Sequence, residues 1–392
     1  MPLSMLHTIK ILFHTLIVFQ SLLFAVFLLT HANARRRTNV WLAAFLLAQV
    51  VISLGGILDH FLDLQAIVWK SMPWLFYIDG PFSFLPMPFL FLYILALTRD
   101  GFKFRAAHLW HGLPFLLDAL FVLGTVLSTP AGALRELVQS GRYLSATAND
   151  ILFATLNVQA LGYLAASFLV VRNYRRRIKS LYSAVERINL SWLVFVLAGL
   201  GASRILILID YFTWLAGRSG LAIAFYIAAE IFFLAFVSLA VLKGLRQPVI
   251  FLGPLEASAK TKYEKTLLPE SVRTEYRDRL AKFMDEKKPF LNPLLGLTDL
   301  SSQVKIPAHH LSQVVNACFR QNFFDFINAY RVRECQRLMA SADGRQRTVL
   351  DILYETGFNS KSVFNTAFKK HAGMTPSEFR RAAANGARPG PA

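Results

Sequence analysis

The sequence predicts an all-α protein: a polytopic transmembrane helical bundle followed by a cytoplasmic all-helical domain with two helix-turn-helix units. Three observations carry that expectation. The first is a conflict in composition. Of 392 residues, 55% are hydrophobic and only 17% charged, yet the formal net charge is +18. A soluble domain with so much apolar side chain ordinarily balances its charges to stay dispersed. The conflict disappears when the two properties belong to different regions. Residues 243–392 hold 24 of the 42 Lys and Arg and 14 of the 24 Asp and Glu, a local net of +10, while the long apolar runs all lie earlier. The second observation is seven apolar stretches of membrane-crossing length in residues 1–242. The third is a pair of short-helix signals that returns about 50 residues later.

The seven stretches are 9–30, 39–58, 74–97, 108–127, 150–171, 190–211 and 220–242. About 20 apolar residues, rising ~1.5 Å each, cross the ~30 Å hydrocarbon layer. Pro81, Pro86 and Pro88 must kink the third stretch, which membrane helices tolerate when neighbours satisfy the freed backbone groups. Orientation follows from Lys and Arg in short connections. The first connection carries Arg35, Arg36 and Arg37; the third Arg99, Lys103 and Arg105; the fifth Arg172, Arg175, Arg176, Arg177, Lys179 and Arg187. Lys243 and Arg246 follow the seventh stretch. The intervening connections have only Lys70, then Arg135 and Arg142, then Arg218. This alternation places the N-terminus outside and the C-terminal region in the cytoplasm. Ala32-Asn33-Ala34 has the look of a signal-peptide cleavage site. The long apolar core before it, and the three arginines that would then lie outside, argue for a retained span.

Ionisable residues inside spans are costly and so mark functional or structural positions. Asp118, Arg204 and Glu230 lie well within the fourth, sixth and seventh stretches. Arg204 and Glu230 sit at matching depths, so an ion pair between them is geometrically allowed, as is a sensing role.

Gly244, Pro248, Gly253 and Pro254 punctuate a linker, 243–269, that cannot continue the seventh helix. Residues 270–288 then read as an amphipathic helix with Val272, Tyr276, Leu280 and Phe283 on one side. It opens a helical domain, 270–382, before a tail, 383–392, expected to be disordered. Leu297, Leu300 and Val304 mark a short helix, broken at Lys305-Ile306-Pro307 and followed by another from about Ala308 to Arg320. That second helix buries Leu311, Val314, Val315, Cys318 and Phe319. A connecting helix covers 323–340. The pattern then repeats. Thr348 with Asp351 starts a short helix, Gly357 ends it, and Asn359-Ser360 caps a helix burying Phe364, Ala367 and Phe368. Thr375-Pro376-Ser377-Glu378 is a further helix start. Two recognition helices held ~34 Å apart could enter successive major grooves.

At these residues the chain resembles the AraC-type family of bacterial transcription regulators. The resemblance rests on G-F-N-S-K-S-V-F-N-T-A-F-K-K-H-A-G-M-T-P-S-E-F-R at 357–380 and on H-H-L-S-Q-V-V-N followed by N-F-F-D-F-I-N-A-Y-R-V in the first unit. It covers about 273–382, and the arrangement is similar to a subgroup with a multi-helix membrane sensor, in which a stretch like Tyr263-Glu264-Lys265 is typical. Three positions depart from the pattern: Pro307-Ala308 where the family often has Ser-Pro, Lys305 where Gly or Asn is frequent, and Leu353 where Ala is usual. The resemblance implies that His309, Ser312, Gln313 and Asn316, and in the second unit Lys361, Ser362, Asn365 and Thr366, face bases. It leaves Arg320, Lys369, Lys370 and Arg380 for phosphates.

The function expected is that of a membrane-embedded one-component transcriptional regulator. Its partners are double-stranded DNA, the lipid bilayer, a small-molecule or membrane signal, and, as the arrangement allows, a second copy in a homodimer. The alternative is a transporter or channel with a basic cytoplasmic tail, although the internal repeat common in transporters is missing from the sequence. No phosphate loop, nucleophile elbow or metal-ligand set stands out, so no enzyme activity, cofactor or metal is expected. His309 and His310 are adjacent and point apart on a helix, and nothing completes a ligand set. Cys318 and Cys335 read as small core residues in a reducing compartment.

Overall fold

The computed structural model describes residues 3–30, 36–61, 67–68, 70–99, 101–140, 146–183, 190–245, 268–341 and 343–384. Most of the linker and the last eight residues of the tail lie outside that set. The chain divides into two units: Met1–Arg172 with Leu190–Ala257, and Asn173–Asn189 with Ser258–Ala392.

Among the described residues, seven helical stretches are long and apolar enough to cross a membrane, His7–Thr30, Thr38–His60, Pro73–Thr98, Ala106–Ser128, Ala148–Lys179, Ser191–Leu215 and Gly220–Leu242, all in the first unit except the last seven residues of the fifth. Helix α1 (Leu3–Thr30) packs along α2 (Arg36–His60). The third stretch is not one helix. It consists of a 3-10 turn (Pro73–Tyr77), α3 (Asp79–Phe82) and α4 (Pro86–Thr98). Each proline lacks an N–H and would clash with the carbonyl four residues back, so a continuous rod is impossible. The chain instead turns at Ser83, whose N–H donates to the carbonyls of Asp79 and Gly80 at 3.0 Å and whose hydroxyl donates to Asp79 O at 2.9 Å. This broken segment is also the most enclosed, with Tyr93 and Ile94 at 0% exposure. Irregular backbone is tolerated at membrane depth when protein surrounds it.

After a 3-10 turn (Ala106–Gly112) and α5 (Leu113–Ser128) comes an unexpected short helix, α6 (Ala131–Ser140). Leu134 anchors it against Val68, Phe76 and Tyr77. Helix α7 (Ala146–Lys179) outruns its predicted apolar core by a full basic segment. Arg and Lys are good helix formers, and cations favour a helix C-terminus. Helices α8 (Ser191–Leu215) and α9 (Ser219–Leu245) form a second tightly packed pair, and α9 also packs on α1. Leu127 and Val158, at 77% and 72% exposure, show the apolar exterior expected of a surface that meets lipid rather than water.

The second unit is built from α10 (Glu270–Lys287), α11 (Leu297–Val304), α12 (Ala308–Cys318), α13 (Phe323–Ala340), α14 (Val349–Glu355), α15 (Lys361–Ala372) and α16 (Pro376–Ala384). Helix α13 is shared between two cores. Its Phe323, Phe326, Ile327 and Tyr330 join Leu280, Leu300 and Leu311 in the first. Its Val332, Cys335 and Met339 join Ile352, Phe364 and Phe368 in the second. Where the cores meet, Gly357 at φ +87° lies so close to the 290–291 turn that a Cβ would stand 2.5 Å from Phe290 O. Only glycine fits there, by backbone angle and by space.

A short piece of chain far away in sequence completes this unit. Residues 180–183, which connect α7 toward the sixth span, lie along 295–297. Leu297 N–H donates to Leu181 O at 2.9 Å, Ser183 N–H to Leu295 O at 3.3 Å, and the Ser183 hydroxyl to the same carbonyl at 2.6 Å. Tyr182 and Gly296 form an antiparallel bridge, and Leu181 packs on the first core. Arg331, 2% exposed, closes the arrangement. Its guanidinium donates to Phe290 O and Asn292 O, both at 2.8 Å, and to Ser183 Oγ at 3.3 Å.

Candidate nucleic-acid interface

Helix α11 ends at Lys305, whose φ of 55° is the left-handed conformation that Gly or Asn adopts more cheaply. The Ser301 hydroxyl donates across the turn to Ile306 O at 2.6 Å. Pro307 then precedes α12 without any side-chain cap, as expected from the missing serine. Leu311, Val314 and Val315 are fully buried and fix the rotation of α12. That rotation leaves Asn316 exposed and His309, Ser312 and Gln313 half-buried. Their surroundings are specific. Gln313 Oε1 accepts the backbone N–H of Leu268 at 3.3 Å, His310 lies 5.9 Å ring to ring from Tyr276, and Asn316 Nδ2 donates to Ser312 Oγ at 3.4 Å. Arg320 is exposed just past the helix, at φ 53°.

The second unit is capped as its sequence foretells. Thr348 Oγ1 accepts from Asp351 N–H at 3.1 Å, and the Asp351 carboxylate accepts from Thr348 N–H at 3.1 Å. Leu353, where a smaller residue was the usual expectation, is 1% exposed and accommodated within the core. Ser360 caps α15, and Phe364, Ala367 and Phe368 turn inward. Lys361, Ser362, Asn365, Thr366, Lys369 and Lys370 all stand exposed on the other side. The Thr366 hydroxyl is bonded back to Ser362 O at 2.9 Å. Asn365, Thr366, Lys369 and Lys370 share an open groove with Thr375, Pro376 and Ser377 at the start of α16. There Thr375 N–H donates to Glu378 Oε2 at 2.7 Å, the reciprocal cap that the sequence promised.

Two phosphate candidates are engaged elsewhere. The Arg380 guanidinium donates to the carbonyls of Gly344 and Arg347, which makes it a strut between α16 and the preceding turn. Lys370 Nζ lies 2.8 Å from Asp325 Oδ2, tying α15 to α13. Sequence reasoning saw only basic residues near a recognition helix, because partners 33 to 45 positions away leave no local signal. It also missed Arg331, which looked like one more charge on an amphipathic helix. Cys335 is buried against the Thr356 hydroxyl at 2.9 Å, and burial pushes its thiol up to about 12, so it behaves as core.

The geometry is that of two linked helix-turn-helix units, and the comparisons agree with it. A family model described as a helix-turn-helix domain matches residues 300–382. These residues form an AraC-type helix-turn-helix domain. The melibiose operon regulatory proteins of Escherichia coli K12 and of Escherichia coli O6:H1 are each 28% identical over 87 residues, 22% of this chain. The chain spans 28% of the length of these curated relatives. No solved structure gives a significant match. An AraC-type domain implies DNA binding and is normally non-enzymatic. Among the described residues no group of three or more His, Cys, Asp or Glu could hold a metal.

The intramembrane charges are distributed differently from the simplest expectation. Asp118 on α5 approaches Gly80, from which a Cβ would be 3.6 Å from its carboxylate. Arg204 and Glu230 line one cavity, yet the pair that their depths allow is not formed. Glu230 is hydrogen-bonded to Tyr226, whose ring lies 4.0 Å beneath Lys10 Nζ.

Proposed function

We propose that the chain is a membrane-embedded one-component transcriptional regulator, in which the spans sense a signal and the AraC-type domain binds a promoter in response. The observation that carries the proposal is the union, in one chain, of seven candidate spans and a helix-turn-helix domain with an exposed recognition helix. Loop charges support an N-terminus outside the bacterial inner membrane and a C-terminal domain, 270–382, on the chromosome side. Lys361, Ser362 and Asn365 are the base readers of the second unit in this reading, with Gln313 and Asn316 in the first, and Lys369 and Arg320 neutralise phosphates.

Coupling has a covalent route. Residues 180–183 belong to the DNA-binding unit, but the chain enters them from the fifth span and leaves them for the sixth. A signal that moved either span would pull directly on the strand paired with 295–297.

Genome-wide mapping of DNA bound to the tagged full-length protein tests the proposal. Discrete sites are expected, and Lys361→Ala should relax sequence preference at them by about 1–3 kcal/mol per base pair read. Lys369→Ala should instead weaken all DNA alike and reduce the salt slope by about one. Absence of any enriched site, or a C-terminal reporter found outside the cytoplasm, would overturn it.

A further inference from the structure

The cavity bordered by Arg204 has a volume of about 270 Å³ and is walled by α1, α2, α4, α7, α8 and α9. Its polar lining is Arg204, His14, Gln49, Glu230 and the serines at 53, 83 and 203. The charges on this wall are not balanced. Glu230 has the Tyr226 hydroxyl, with Lys10 close enough to act on it electrostatically. Among the described residues no carboxylate pairs with Arg204. A guanidinium withdrawn from water without a counter-ion costs several kcal/mol, and its charge cannot be shed as a lysine's can. A second deficit adjoins it. His14 Nδ1 is buried with no hydrogen-bond partner, and its ring fits only because α2 offers Gly56, where a Cβ would come within 2.6 Å of the imidazole.

The far wall of the cavity is largely apolar and borders a smaller chamber of about 50 Å³, which shares Phe45, Gln49, Leu200 and Phe233 with it. Trp192 and Val196 line that chamber. One end therefore offers an unpaired cation beside an unmet imidazole nitrogen, and the other is walled mostly by hydrocarbon, with Ser21, Gln49 and Trp192 as its polar members. Its size lies near the lower bound of about 300–1,000 Å³ for small-molecule sites, too small for a diacyl lipid.

We propose that this cavity binds an amphipathic monoanion, with an acid head on Arg204 and His14 and a short single apolar tail toward Trp192. The inference rests on reading the spans as a sensor and names the class of signal. It concerns binding alone, so its test contains no DNA. A failure of promoter recognition would leave this result untouched, and a failure here would leave a regulator with some other stimulus.

The full-length protein in nanodiscs of zwitterionic lipid would be heated with octanoate, octanol or octylamine at equal concentration. Octanoate should raise the unfolding midpoint by at least about 2 °C, whereas the neutral and cationic chains should not. Arg204→Gln should lose the shift and Arg204→Lys should keep part of it. Because Arg204→Gln could fail to fold, Gln49→Leu provides a second variant that keeps the charge and should weaken the shift severalfold. Nanodiscs doped with an anionic phospholipid distinguish the source of the anion. If the dopant leaves the octanoate shift intact, the ligand is a free single-chain acid. An equal shift from octanol, a response retained in Arg204→Gln, or an anionic lipid that abolishes the octanoate effect would overturn the proposal.

Discussion

In the second helix-turn-helix unit, Lys361, Ser362 and Asn365 stand in solvent along α15. In the first, Gln313 holds the backbone N–H of Leu268, and Tyr276 of α10 lies against His310. The two units share a motif and a connecting helix but not a state of readiness. In the proposed reading, the second is already exposed where a base edge would meet it. In the first, Gln313 Oε1 would have to release the backbone N–H of Leu268 before it could accept from a base. Repetition of a motif therefore does not imply equal use of it, and the unit nearer the linker is the one whose access the linker touches.

The largest effect should come from Arg331, which holds the turn of the first unit and the 180–183 segment together. Replacing it with Met leaves the carbonyls of Phe290 and Asn292 without their donor, a loss of about 1–3 kcal/mol for each buried acceptor left unsatisfied. Chemical denaturation of the full-length protein should show it, and a footprint should lose the half-site of the first unit before the second. A smaller effect separates the two faces. Asn365→Ala should cost about 1–3 kcal/mol of discrimination at its base pair. Gln313→Ala should cost less, because removing it also removes the bond that must otherwise break; equal losses in a binding series on variant operators would erase the comparison.

The smallest effect concerns pH. Hydrogen bonds from Arg337, and then from Lys288, hold the Glu334 carboxyl below the usual carboxylate range despite its burial. Its contribution is thus complete above the ordinary glutamate value, about 4.5, and fades as pH falls through the lower folded-state value. Glu334→Gln should lower stability slightly at neutral pH, leave it unchanged at acid pH where the carboxyl is protonated, and so flatten the acid limb of unfolding.

What the sequence made legible follows the range over which each signal acts. Seven spans were readable because membrane thickness imposes a length, and the caps at Thr348, Ser360 and Thr375 because their partners lie three residues away. Even Lys305 was marked as an odd residue for its turn, and it does adopt the left-handed angle. Helix α6 escaped notice because ten residues anchored by Leu134 give too brief a period. The roles of Arg331, Arg380 and Ser183 depend on partners 33 to 148 positions distant, where no local pattern reaches. Depth alone allowed an Arg204–Glu230 pair without requiring one; both residues line one cavity, but Glu230 is hydrogen-bonded to Tyr226 instead.

Leu181 and Ser183 finish a surface that the residues after the seventh span leave incomplete. Cutting the chain in its linker would thus not liberate an intact regulator. The released C-terminal piece would carry a hydrophobic notch and an arginine deprived of its serine. Such a piece would keep its two helical cores but lack the segment that Leu181 and Ser183 contribute to the first of them.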